Sequence, residues 1–209
     1  HLAGDPENAK KLIDTGVTGI AYETVTSSDG SMPLLAPMST IAGQLAFVVG
    51  SYHLLKHNNG KGVMIGQMDN MDPRVVTVIG AGVSGTQSIL KAIDNNALVK
   101  VVDSSQSKLD ELELQYGSNN VEYILSTKDS IQSSINDSDL VIGSVYVVGK
   151  EAPKVITREM LSSMNPGTVM VDVSIDQGGC FETSKPTTHD NPTFLENEIV
   201  HYCVTNMPG

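Results

Sequence analysis

Val75-Val76-Thr77-Val78-Ile79-Gly80-Ala81-Gly82-Val83-Ser84-Gly85 runs from an apolar strand into a glycine turn and on into a helix. A second apolar run, Leu98-Val99-Lys100-Val101-Val102, follows and ends on Asp103. Strand, glycine loop, helix, strand and terminal carboxylate fall in one register, which is the fingerprint of a dinucleotide-binding βαβ unit. Gly80 permits the tight turn, Gly82 lets backbone approach a pyrophosphate, and Gly85 lets the helix pack closely on its strand. Val83 opens the helix, whose N-terminal N–H groups and partial positive charge favour phosphate. Asp103 can accept both hydroxyls of an adenosine ribose. Ser104-Ser105-Gln106 follow with no Arg to meet a 2′-phosphate, so the pattern predicts NAD rather than NADP.

Outward from this unit the pattern alternates strand and helix, which predicts an α/β fold, a Rossmann-type doubly wound parallel sheet. Strands are expected at 75–80, 98–103, 121–125, 139–145, 168–173 and 199–204, and helices at 83–95, 107–116, 127–136 and 157–164. Residues 58–74 read as an irregular loop, and the polar stretch 177–197 as a loop over one edge. Upstream, Ile41, Leu45, Val48, Val49, Tyr52 and Leu55 recur at three- and four-residue steps and predict a helix over 36–56. At 1.5 Å per residue it is roughly 30 Å long, enough to link two domains. Ser39 stands near its start, where a hydroxyl can cap the helix or meet a ligand. His53 and His57 lie one helical turn apart. That is also a zinc spacing, but no third ligand is near, so they read as a solvated face and no metal is expected. The first segment reads as a helix opened by Asp5-Pro6-Glu7, then a strand over 17–22.

Composition bounds the function. The 209 residues are 40% hydrophobic and 18% charged, with no Trp, an ordinary composition for a chain that builds a core from Val, Ile, Leu and Met. A net charge of −11 argues against nucleic acid, whose phosphates need a basic face. The sequence shows no signal peptide and no apolar run long enough to span a bilayer, so no membrane association and a cytoplasmic location are expected. Cys180 and Cys203 read as buried free thiols of a reducing compartment.

In an open parallel sheet, ligands bind at the carboxyl ends of the strands. There the sequence delivers the glycine turn, Asp103, Ser126, Val145-Tyr146, Val173, Ile175-Asp176-Gln177-Gly178-Gly179, and Asn206-Met207. Asp176 follows an apolar strand at the place a nicotinamide would occupy. From position alone, a ligand contact and a turn cap are equally open for it. Asp172 alternates away on the same strand. His1, taken by itself, reads as a frayed terminus.

Several segments resemble the alanine dehydrogenase and transhydrogenase family. They are His1-Leu2-Ala3, IAYETV at 20–25, PLLAPMSTIAG at 33–43, VIGAGVSG at 78–85, DQGG at 176–179, PTTHDNPTF at 186–194 and VTNMPG at 204–209. The resemblance implies NAD-dependent, reversible oxidative deamination of L-alanine to pyruvate and ammonia, with His1 and Asp176 catalytic. It implies cofactor contacts at Ser39, Asp103, Lys108, Ser126, Val145, Tyr146, Asn206 and Met207, beside Gly80, Gly82, Val83, Gly85, Val173 and Ile175. It further implies a homo-oligomer, a hexamer. Residues 1–35 are expected to end a second α/β substrate domain, and 36–209 to form the NAD-binding domain with its linking helix. Family chains begin before the HLA motif, with an Arg and a Lys that hold the substrate carboxylate, and continue past NMPG. The chain is therefore expected to be the central portion of a longer protein, inactive alone. Tyr146-Val147-Val148-Gly149 departs from a more usual Leu-x-Pro-Gly. A transhydrogenase component and a non-catalytic NAD-binding domain are the competing readings, and the HLA and DQGG pair fits the dehydrogenase better.

Overall fold

In the computed structural model, which describes residues 6–66, 70–147 and 150–209, the strand leading into the glycine turn lies in the interior of a seven-stranded sheet. The strands are β1 (Val75–Ile79), β2 (Leu98–Asp103), β3 (Val121–Leu125), β4 (Leu140–Gly143), β5 (Val169–Asp172), β6 (Thr193–Glu196) and β7 (Ile199–Tyr202). They are ordered β3-β2-β1-β4-β5-β7-β6, and every pairing is parallel except β6 with β7. The helices are α1 (Pro6–Asp14), α2 (Ala36–His53), α3 (Val83–Asp94), α4 (Gln106–Tyr116) and α5 (Lys128–Asn136).

Strand alternation distributes the core to both faces of the sheet. Val76 and Val78 of β1 join Ala46, Phe47, Ile89, Leu109 and Leu112 from α2, α3 and α4. Ile79 joins Ile131 and Ile135 of α5, with Met160 and Phe181, on the other face. Thr77, also on that face, donates no charge to the core, and its hydroxyl bonds the carbonyl of Ser134 and the hydroxyl of Ser138. Helices on both faces of a parallel sheet are the doubly wound arrangement that the alternating pattern predicts. α2 lies close to α3 because Gly43 carries no side chain: a Cβ there would sit inside the carbonyl of Ser84. Ser88 Oγ then donates to the Gly43 carbonyl at 2.7 Å.

Four local expectations need correction. The strand expected over 17–22 is absent, and a 3-10 turn at Tyr22–Thr24 stands in its place. Val17 and Ile20 are exposed, and no neighbouring strand pairs with this segment among the described residues, so an extended conformation there would gain no ladder bonds. The helix expected over 157–164 is a 3-10 helix at Glu159–Ser163. The hydroxyls of Ser162 and Ser163 bond the carbonyls of Glu159 and Met160, three residues back, competing with α-helical pairing. The loop expected over 177–197 contains β6, an edge strand that turns into β7 through Asn197 and Glu198. Both turn residues have positive φ, 51° and 61°, the geometry of a two-residue hairpin turn. Finally, α2 stops at His53 rather than residue 56, and His53 is buried against Tyr202 instead of solvated, while His57 is exposed.

Candidate functional site

A cleft of about 1040 Å³ opens at the carboxyl ends of the strands, where β1 and β4 lie side by side and their connections leave in opposite directions. Its floor is the glycine turn. Gly80 has φ +94°, and a Cβ on it would meet the Ser144 carbonyl oxygen at 2.7 Å. Its own N–H donates to the Val102 carbonyl at 2.8 Å, and the Ser144 hydroxyl donates to its carbonyl at 2.7 Å. Gly85 lies beneath the turn, where a Cβ would collide with the Gly80 carbonyl. Gly82 differs from both: a Cβ on it would meet nothing within 4 Å, so its missing side chain is open space at the cleft wall. Gly82 is also the N-cap of α3 and brings no side-chain acceptor to the first N–H groups of that helix. An uncapped helix N-terminus over an open cradle is the arrangement that receives a phosphate.

Asp103 ends β2 at the same cleft. Its Oδ2 accepts the Ala81 N–H at 2.7 Å and its Oδ1 the Ser105 N–H at 2.8 Å. The carboxylate is thus fixed to the glycine turn, and each oxygen keeps a lone pair for a further donor. At the far end stand Val145 and Tyr146 after β4, and Val173 and Asp176 after β5. Asp176 lies in a 3-10 turn, Ile175–Gln177. Both its carboxylate oxygens accept the Asn206 N–H, each at 3.2 Å, which joins two of the sequence-identified residues directly. Burial raises the Asp176 carboxyl above its ordinary value, and the Asn206 N–H offsets part of that rise.

The cleft therefore gathers Ser39, Gly80, Gly82, Val83, Asp103, Val145, Tyr146, Val173, Asp176 and Asn206. Gly85, Lys108, Ser126, Ile175 and Met207 do not line it. Ile175 and Met207 are buried behind its wall, and the Lys108 ammonium pairs with Glu111 at 3.2 Å. The Ser126 N–H donates to the Asp103 carbonyl at 2.8 Å. Ser39 lies inside α2, whose N-cap is Leu35, so its hydroxyl is not the helix cap. His1 lies outside the described residues.

Sequence reasoning gave no role to two positioning groups and did not foresee one wall. Gln177 reaches across to Val147, accepting its N–H at 3.4 Å and donating to its carbonyl at 3.1 Å. Ser144 holds the Gly80 carbonyl, as above. Both stand at strand ends, where the strand-end rule puts them, but the rule does not say which backbone groups they hold. The wall built by Tyr22, Glu23, Ser31, Met32 and Met38 comes from outside the sheet, where no such rule applies.

Comparison with known proteins fits this geometry. Residues 46–209 match the family described as alanine dehydrogenase/PNT, C-terminal domain. The alanine dehydrogenase of Halomonas elongata is 49% identical over 209 residues, which is all of this chain and 56% of that protein. That of Mycobacterium tuberculosis is 44% identical over 210 residues, with the same shares covered. A solved L-alanine dehydrogenase superposes with a TM-score of 0.90 at 40% identity, covering all of this chain and 57% of the other. A transhydrogenase from Sinorhizobium meliloti shares the fold, with a TM-score of 0.80 at 23% identity over 99% of this chain and 59% of its own. The chain thus spans little more than half the length of these relatives. Likeness at this level over the whole chain is decisive: it belongs to the alanine dehydrogenase/PNT family, with residues 46–209 forming that family's C-terminal domain.

Proposed function

We propose that the cleft holds NAD and that the protein it serves interconverts L-alanine with pyruvate and ammonia. One observation carries the reading: a single cleft brings the open Gly82 cradle, the turn-anchored Asp103 and the half-buried Asp176 together in that order. The residues fit the group. The first N–H groups of α3 would receive the pyrophosphate over Gly82, and Asp103 would accept the adenosine ribose hydroxyls. Val145, Tyr146, Val173 and Asn206 would flank the nicotinamide, with Ser39 on the facing wall. We also assign cofactor roles to Lys108, Ser126, Ile175 and Met207, which support the cleft from outside its lining. No Arg follows Asp103, which supports NAD over its phosphorylated form.

When bound, the nicotinamide supplies the acceptor for the C2 hydride of the amino acid. The chain's own groups do the rest. The carboxylate of Asp176 orients the amine, then the water that adds to the imine, and stabilises the cationic intermediates. Burial places its carboxyl above the ordinary range, nearer the pH at which proton transfers are efficient. We assign His1 as the acid/base partner, an imidazole suited to proton transfer near neutrality. Residues 1–35 then belong to the facing substrate domain, and closure of the two domains excludes water. The reading includes a cytoplasmic setting and a homo-oligomeric protein, hexameric by family likeness. Two free, buried thiols suit a reducing compartment. Among the described residues no helix is long and apolar enough to cross a membrane.

Calorimetric titration with NAD, paired with alanine-dependent NADH absorbance, tests this. Asp103→Ala weakens NAD binding by about 2 kcal/mol, as two charge-assisted hydrogen bonds are lost, while the fold persists. Asp176→Asn, made in the full-length protein, keeps NAD binding and loses most alanine oxidation. Unchanged NAD affinity in the first variant removes the ribose assignment, and near-normal turnover in the second removes the catalytic one.

A further inference from the structure

The turn that carries Asp176 is held from two sides. β5 ends at Asp172, and Asp176 lies half-buried in the 3-10 turn that follows. On the inner side, the Asp172 carboxylate accepts the N–H groups of Ser174, Cys180 and Phe181. On the outer side, residues 152–156 run beside residues 177–182. The Ala152 N–H donates to the Gln177 carbonyl at 2.9 Å, and the Val155 N–H to the Cys180 carbonyl at 2.8 Å. The Glu182 N–H returns a bond to the Ile156 carbonyl at 2.8 Å, and Ile156 and Phe181 pair as a parallel bridge.

Between those two backbone bonds the pairing has a gap. Gly178 and Gly179 have φ of 85° and 78°, which breaks the extended path, and across from them Pro153 has no N–H to give. The Lys154 side chain closes the gap. Its ammonium donates to the Gly179 carbonyl at 2.6 Å and to the Gly178 carbonyl beside it. The carbonyls of Gln177, Gly178, Gly179 and Cys180 are thus all tied to one neighbouring segment, the middle two by a single charged side chain. An ammonium can serve two acceptors at once, and bonds from a charged donor are stronger than neutral ones. Two successive glycines are the most pliable backbone available, so this is where the turn most needs an outside tie. Lys154 is exposed and does not line the cleft. Any effect it has on the chemistry therefore passes through the turn.

We propose that Lys154 is a positioning residue for Asp176, clamping the Gly178 and Gly179 carbonyls so that the carboxylate keeps its place at the cleft. The proposal rests on the catalytic reading of Asp176 given above. With the clamp removed, the exposed Gly178 can bond water instead, so the loss falls on the geometry of the turn more than on the stability of the fold. A carboxylate that has to orient an amine and then a water is sensitive to small displacements of this kind.

The test compares the full-length protein with its Lys154→Met, Lys154→Arg and Asp176→Asn variants. Hydrogen–deuterium exchange, read by mass spectrometry on peptides spanning 174–181, reports the turn, and initial rates of alanine oxidation report the chemistry. In Lys154→Met these amides exchange at least ~10-fold faster and kcat falls at least ~10-fold, with the KM for NAD within about twofold. The melting temperature stays nearly unchanged. Lys154→Arg keeps the charge and the donors and returns both readings to within about threefold of wild type. A lysine with a merely structural role would lower the melting temperature and leave kcat of the folded enzyme intact. If Lys154→Met misfolds, Lys154→Gln, neutral and too short for both carbonyls, carries the same comparison. Unchanged exchange, full turnover, or an Arg variant no better than the neutral one overturns the proposal. Asp176→Asn separates the two readings. Full turnover there removes the catalytic assignment and this proposal with it, whereas an inactive Asp176→Asn beside a fully active Lys154→Met removes only the role of Lys154.

Discussion

The glycines at 82 and 85 are three residues apart and do opposite things. Gly82 has φ −69°, a conformation open to any residue, and a methyl group on it would project into free space at the cleft. Gly82→Ala should therefore change stability by less than about 1 kcal/mol, through unfolded-state entropy alone. It should also weaken NAD at least tenfold, because the methyl occupies the pyrophosphate's approach. Gly85→Ala should cost roughly 2–3 kcal/mol, since its Cβ has nowhere to go but into the Gly80 carbonyl. Thermal melts and NAD titration of both variants separate the roles. A destabilised Gly82→Ala with full NAD affinity would contradict the first assignment. These roles are legible in sequence because the motif is a backbone constraint written in residue type. Lys108 is different. Its cofactor role comes from family likeness, and nothing in a lone Lys five residues past a strand says that its ammonium meets Glu111.

Among the elements, the turn after β5 shows how far pattern reading reaches. Asp172 alternates away from the cleft, as the strand period requires, and its side chain enters the core to pin the next twelve residues. It accepts the N–H groups of Ser174 at 3.0 Å, Cys180 at 2.9 Å and Phe181 at 3.3 Å, and the Ser184 hydroxyl. Asp172→Asn would turn an amide N–H₂ toward these donors and should cost about 3 kcal/mol, measured by urea unfolding. Gln177 then ties this turn to the loop after β4 by both ends of its amide. Gln177→Ala, made in the full-length protein, should raise the KM for NAD about tenfold with a smaller effect on the melting temperature. An unchanged KM would mean that the loop holds itself. Periodicity placed the six parallel strands to within about two residues, since each is a short apolar run with turn residues beside it. It missed β6 because Thr193-Phe194-Leu195-Glu196 is half-exposed at the sheet edge and follows two prolines, so no apolar run marks it. The Asn197-Glu198 turn was the available signal. At 157–164 the expected helix is a 3-10 helix, in which Met160 and Leu161 are buried. Spacing alone does not separate a short 3-10 turn from an α-helix, and the serine back-bonds decide it.

For the whole molecule, the buried histidines set how stability responds to pH. His201 lies within β7 and reaches the loop before β6: its Nδ1 faces the Ile199 carbonyl at 3.1 Å and its Nε2 the Thr183 hydroxyl at 2.8 Å. The neutral ring satisfies both as donor and acceptor. His53, at the end of α2, has no hydrogen-bond partner for Nδ1 among the described residues. Burial lowers both imidazoles below the ordinary value of 6.5, and neighbouring His57 lowers His53 further. The unfolded chain therefore takes up these protons first, and stability falls as pH drops below 6.5 toward the folded-state values. Asp172 and Asp176 act with the opposite sign. Burial raises both carboxyls above 3.8, so their contribution is fullest below 3.8 and is lost as pH rises through their folded-state values. Histidine uptake governs the interval just below neutrality, and carboxylate protonation softens the decline at lower pH. Replacing His53 by Phe isolates one share. The ring keeps its packing against Tyr202 while the unpartnered nitrogen goes, so His53→Phe should gain about 1 kcal/mol at pH 7. It should also lose stability less steeply than wild type between pH 6.5 and 5.5. Urea unfolding at a series of pH values measures both. A parallel pair of curves would show that His53 takes up its proton equally in the folded and unfolded chain, leaving the acid sensitivity to His201 alone.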